Sequence, residues 1–166
     1  MSALASGLFD GIKLSFDGTI LEWAEANVNF PNSDRASKFD VTIAPWLNEP
    51  LLASSDNETT QVFLRAPTGG GKTTLMEVLA CFVIAQKPGP TLFIGQTDDM
   101  VKDWTESRLM PVFNECAPVR ALFPEDRHAL RKTTILFPHM AMFAGGANIT
   151  NLQEKSMRYC IGDEVW

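Results

Sequence analysis

The sequence has no long apolar run. Its longest, Val78 to Ala85, is too short to cross a bilayer. Nor does it open with a basic start followed by a long apolar core, so no signal peptide is expected. Histidine is scarce: His128 and His139 are the only two and share no ligand spacing, which argues against a zinc site. The cysteines Cys81, Cys116 and Cys160 are odd in number, lie far apart and make no C-x-x-C pair, and two of them fall inside apolar runs. That usage fits a reducing compartment and a soluble, intracellular chain. Basic side chains are outnumbered, 14 Lys and Arg against 20 Asp and Glu. This excludes a simple basic surface that coats nucleic acid, though not a local patch. The nearest such patch, Arg120, Arg127, His128, Arg131 and Lys132, is diluted by Glu125 and Asp126 and reads as a solvated loop.

What is present is ordinary for a globular domain: 166 residues, 45% apolar and 20% charged. The net charge of −6 is unevenly placed. Residues 1–60 hold Lys13, Arg35 and Lys38 against a surplus of acids, whereas residues 61–166 balance to zero. The chain therefore divides into an acidic, helical N-terminal segment, 1–60, and a core segment, 61–166.

The core segment opens on Gln61-Val62-Phe63-Leu64-Arg65, an apolar run that reads as a strand, followed by Ala66-Pro67-Thr68-Gly69-Gly70-Gly71-Lys72-Thr73-Thr74. The pattern is that of a phosphate-binding loop, G-x-x-x-x-G-K-[ST], with Ala66 at the first position. Glycines let successive backbone N–H groups converge on phosphate oxygens, and the helix expected after the loop presents its positive end to the same charge.

Upstream, Thr19 and Glu22 make a capping box for a short helix over Ile20 to Ala26. Residues 41–53 read as a turn into another short helix, and their Trp46 either stacks on an adenine base or packs in the core. Downstream, Lys87-Pro88-Gly89-Pro90 is a break and Thr91 to Gly95 a buried strand, so strand, loop, helix and strand make one βαβ unit in a parallel sheet. Thr97-Asp98-Asp99 starts a helix through about Leu109. Acids in the first turn after a Thr cap suit the helix dipole better than they suit a metal. Thr133 to Phe137 and Met140 to Ala144 read as a hairpin or two successive strands, Ile149 to Lys155 as a short helix, and Arg158 to Ile161 as a last strand.

That strand delivers Gly162-Asp163-Glu164 at its carboxyl end. There Asp163 can hold the magnesium that also bonds the Thr73 hydroxyl and the phosphates. Glu164 can orient and deprotonate a water, and Lys72 can neutralise the β/γ oxygens. An Asp-Glu pair separates ATP hydrolysers from simple nucleoside kinases.

With the loop and the Asp-Glu strand in place, the order of features resembles the ATPase domain of tailed-phage terminase large subunits, in the GpA-like branch. The likeness runs from Glu22-Trp23-Ala24-Glu25 through Ala44-Pro45-Trp46-Leu47-Asn48-Glu49-Pro50, Pro88-Gly89-Pro90-Thr91-Leu92, Thr97-Asp98-Asp99 and Lys102 to Pro111. It closes with Gly145-Gly146-Ala147-Asn148, Asn151-Leu152 and Gly162-Asp163-Glu164-Val165. The resemblance implies an α/β, ASCE, RecA-like P-loop NTPase with a parallel sheet flanked by helices. It implies ATP and magnesium as ligands, with Lys72 and Glu164 catalytic, Ala66 to Thr74 on the nucleotide, Trp46 beside adenine, and Thr73 and Asp163 on the metal. It also implies a motor that drives double-stranded DNA into a capsid from the host cytoplasm, as an oligomer at the portal, with a small terminase subunit and no membrane.

The loop departs from many terminase loops in having no internal Arg, the nearest being Arg65 just outside, and Gly162 interrupts the apolar run usual before the Asp. Ending at Trp166, the chain is expected to be C-terminally incomplete, truncated after the Asp-Glu strand, without a nuclease domain and with a gap in its own sheet. Two other readings stay open: a helicase-like DNA translocase, and a truncated remnant that binds nucleotide or a partner without turnover.

Overall fold

A computed structural model describes residues 16–32, 38–126, 129–131, 133–152 and 156–164. Its first helix, α1 (Ile20–Asn27), begins at the expected capping box: Glu22 N–H donates to Thr19 Oγ1 and Thr19 N–H to Glu22 Oε2. Ile20, Trp23 and Ala24 turn inward, and Trp23 meets the ring of Phe82 edge-on at 5.5 Å. A 3-10 turn, Pro45–Leu47, leads into α2 (Asn48–Ser55).

The helix after the glycine-rich loop, α3 (Lys72–Gln86), is buried at every position from Leu75 to Ile84. Its sequence has almost no polar face, so it can be stable only when covered on all sides. The sheet, α1, α2 and the helices later in the chain supply that cover, and the core is built around it.

The chain continues as β1 (Thr91–Gly95), α4 (Asp98–Trp104), a π-helical turn (Thr105–Leu109), α5 (Met110–Glu115) and α6 (Ala117–Arg120). Thr97 caps α4 as expected, its side chain accepting from Met100 N–H at 3.2 Å. Then come β2 (Leu130–Arg131), β3 (Thr134–Phe137), β4 (Met140–Gly146), α7 (Ile149–Leu152) and β5 (Tyr159–Gly162). Of the two arrangements read from the sequence, β3 and β4 form the hairpin, paired from Phe137↔Met140 outward. The end of the helix expected over 149–155, and part of the basic loop at 127, 128 and 132, lie outside the described residues.

The sheet order is β2-β3-β4-β1-β5. β1 runs parallel to both β4 and β5, but β3 is antiparallel to both β2 and β4, so the sheet is mixed rather than parallel. The physical reason is the short Pro138-His139 turn, which reverses the chain and allows only an antiparallel neighbour.

A second expectation fails at residues 61–65, which form no strand. A strand needs partners for its N–H and C=O groups. The facing edge, β5, lies across a cavity of about 460 Å³ whose walls include Gln61, Val62 and Leu64 on one side and Tyr159 to Asp163 on the other. Phe63 is 90% exposed. The expected βαβ unit therefore lacks its first strand, and among the described residues no strand pairs with the outer edge of β5. No helix among the described residues is long and apolar enough to cross a membrane.

Candidate active site

Ala66 leads, partly buried, into an exposed turn at Pro67 and Thr68, closed by Gly70 N–H donating to Pro67 O at 3.0 Å. Gly69 and Gly71 adopt left-handed φ of 77° and 84°, a conformation that disfavours side chains. A Cβ on Gly71 would fall 2.7 Å from Leu47 Cδ1, so the 3-10 turn is pressed against the loop. Its neighbour Trp46 donates Nε1–H to Gly70 O at 2.9 Å while the residue as a whole stays 57% exposed. Residues 46–47 thus fix the loop from outside.

Lys72, Thr73 and Thr74 form the first turn of α3, where Leu75 N–H bonds back to Gly71 O at 2.9 Å. No side chain caps this end. The leading N–H groups of a fifteen-residue helix are therefore left for an anion, with the helix dipole behind them.

The opposite wall comes from parallel pairing. Ile94 stands beside Gly162, so the carboxyl ends of β1 and β5 coincide, and Asp163 N–H extends the ladder to Ile94 O at 2.8 Å. Glu164 comes next at φ 50°, an uncommon conformation for a residue with a side chain. Its Oε1 lies 3.4 Å from Lys72 Nζ and its Oε2 accepts from Gln96 Nε2 at 3.2 Å. The Asp163 carboxyl is pushed above the usual range, first by burial and then by the charge of Glu164, with Lys72 opposing. Two adjacent acids beside one lysine leave a local surplus of negative charge.

Of the residues singled out from the sequence, the fold brings Lys72 onto Glu164 and Trp46 onto Gly70. Trp46 and the acids line different cavities: one of about 180 Å³ beside Trp46, Gly69, Gly71 and Thr74, and one of about 210 Å³ beside Gln96, Asp163 and Glu164. Four charged residues, Lys38, Asp40, Glu77 and Arg108, also line the first cavity. Glu77 is fully buried, and burial raises its carboxyl to about 7 although Arg108 lies 3.4 Å away. Sequence reasoning missed Gln96. Its signal was position: it comes directly after the strand that pairs in parallel with the Asp-Glu strand.

Asp98 is occupied structurally, accepting from Gly146 N–H at 2.6 Å and Asn151 Nδ2 at 2.9 Å. It ties the start of α4 to the turn after β4. These donors hold its carboxyl below the usual range, Gly146 N–H foremost.

Compared with known families, residues 33–165 match the phage terminase large subunit gpA, ATPase domain. The chain belongs to this family. It is therefore an ATPase domain of the type found in phage DNA-packaging terminases. No curated protein and no solved structure matches it. The matched range takes in the Trp46 turn, the glycine-rich loop and the Asp-Glu strand end, and so the whole of the site assembled above.

Proposed function

We propose that this terminase ATPase domain is a P-loop NTPase that binds ATP with magnesium and hydrolyses it, powering translocation of double-stranded DNA into a capsid. The observation that carries the reading is the convergence of Lys72 and Glu164, at 3.4 Å, on the carboxyl ends of β1 and β5 beside an uncapped helix N-terminus.

In this reading the backbone N–H groups of Gly69 to Thr74 cradle the phosphates, and Lys72 leaves Glu164 for the β/γ oxygens. Glu164, held by Gln96, accepts a proton from a water whose oxygen bonds to the γ-phosphorus as the bond to the bridging oxygen breaks. Thr73 and Asp163 would hold magnesium. When bound, it offsets negative charge on the phosphate oxygens. So few protein ligands suit an ion that takes one or two carboxylates and completes its shell with phosphate and water. Trp46 offers its ring to the adenine. By family resemblance the partners are a small terminase subunit and the portal of a procapsid, where the motor acts as an oligomer in the host cytoplasm.

The test is magnesium-dependent ATPase activity of the chain beside Lys72→Ala and Glu164→Gln. Turnover abolished by either substitution supports the reading. Saturable ATP binding that Lys72→Ala abolishes, with no turnover in the unmodified chain, supports instead nucleotide binding without hydrolysis. Among the described residues the outer edge of β5, next to the catalytic pair, has no strand partner, which favours that second reading.

A further inference from the structure

The nucleotide reading leaves one buried charge unused. Glu77 lies on the face of α3 that also carries Thr74, within a run that is otherwise apolar between Leu75 and Ile84. Its side chain is 1% exposed and neither carboxylate oxygen makes a hydrogen bond. The one cation within ion-pair distance among the described residues is Arg108, with Nε 3.4 Å from Oε1. An apolar residue at 77 would pack at lower cost, because a buried ion pair seldom repays its desolvation. What the acid does achieve is to hold Arg108 in place. The Arg108 side chain is 48% exposed and lines the cavity of about 180 Å³ together with Gly69, Gly71, Thr74 and Trp46.

The helix is deformed where it presents this arginine. Pro111 has no N–H to give the carbonyl of Ser107, four residues back, and the helix passes through a π turn over Thr105–Leu109. Asn32 Nδ2 supplies the missing donor to Ser107 O at 3.0 Å, and Asn32 is itself a wall of the cavity. The extra residue of the π turn rotates the remainder of the helix by about 100° relative to a regular one.

We propose that Arg108, braced by Glu77, is a second recognition element of the nucleotide site: its guanidinium contacts the nucleoside end of ATP, base or ribose, in the cavity shared with Trp46. The proposal rests on the nucleotide-binding reading of the glycine-rich loop. A planar guanidinium can lie on a purine face or donate to ring nitrogens and ribose oxygens. Lys72 and the loop amides serve the phosphate end. Glu77 is then a positioning residue, and Arg108 the one that touches ligand.

Calorimetric titration of the full chain with ATP, and separately with inorganic tripolyphosphate, distinguishes the two ends. Arg108→Ala is expected to weaken ATP binding roughly tenfold, the order expected for a charge-assisted hydrogen bond, and to leave tripolyphosphate binding unchanged. Arg108→Lys keeps the charge but not the plane and should recover only part of the loss. Glu77→Gln should weaken ATP binding selectively and by less. Equal loss for both ligands after Arg108→Ala overturns the proposal in favour of a phosphate contact, and no loss for either removes Arg108 from the site. Lys72→Ala must weaken both ligands. If it weakens neither, or if the unmodified chain binds neither ligand, the reading of the loop fails and the proposal fails with it.

Discussion

Lys72 Nζ and Glu164 Oε1, 92 positions apart in the chain, stand 3.4 Å from each other. The lysine that would serve phosphate is thus held by the acid that would activate water. In the proposed reading, nucleotide binding breaks that contact.

Glu164→Gln should therefore separate binding from turnover. Removing the carboxylate charge frees Lys72 and lessens repulsion toward phosphate, so ATP affinity is expected to rise severalfold while turnover falls by roughly 10²- to 10⁴-fold. Weaker ATP binding by this variant, measured by titration, would contradict the arrangement.

Gln96 holds the other oxygen of Glu164, at 3.2 Å. Gln96→Ala leaves the acid in place but loosens its aim. A drop in kcat of roughly tenfold is expected with KM nearly constant, because a group misplaced in the transition state costs rate rather than affinity. A raised KM at constant kcat would assign Gln96 to substrate binding instead.

Glu77 gives a pH signature. Its folded-state carboxyl titrates at about 7 against an ordinary 4.5, so between these values the folded chain binds the extra proton. Stability should fall as pH rises from about 4.5 to about 7 and be flat above, by up to about 3 kcal/mol. Glu77→Gln should match the parent near pH 4 and exceed it at pH 8 in thermal melts. Parallel curves would show that the acid is not buried in its charged form.

Gly69 and Gly71 share a left-handed backbone but not their surroundings. A Cβ on Gly69 meets nothing within 4 Å, whereas on Gly71 it meets Leu47 at 2.7 Å. Gly69→Ala should cost about 1–2 kcal/mol, the conformational part alone, and Gly71→Ala about 2–4 kcal/mol. In a double-mutant cycle, Leu47→Ala with Gly71→Ala should cost less than the sum of the two single substitutions, by the steric part, as chemical denaturation would measure.

Local signals carried well into the structure. Thr19 with Glu22 and Thr97 with Met100 cap their helices as read, because a cap is satisfied by atoms three residues away. The strands read over 133–137, 140–144 and 158–161 came from apolar runs bounded by turn residues, and they form within two residues of those bounds. Residues 61–65 have the same apolar look, yet strand formation depends on a partner edge that no window of sequence can report. Gln96 escaped notice for a similar reason: its relation to Glu164 is a matter of register between β1 and β5. Glu77 and Arg108 were hidden by composition, since one charge inside an apolar helix and one on a polar face show nothing until packing brings them together.

The contacts of Trp46 with Gly70 O and of Leu47 with Gly71 mean that the octet Ala66 to Thr73 does not carry its own shape. Transplanted without the Pro45–Leu47 turn, it would keep its glycines and its lysine. It would lose the brace that selects one of the many conformations glycine permits. The motif can be read from a short stretch of sequence, but its shape is held by two stretches together.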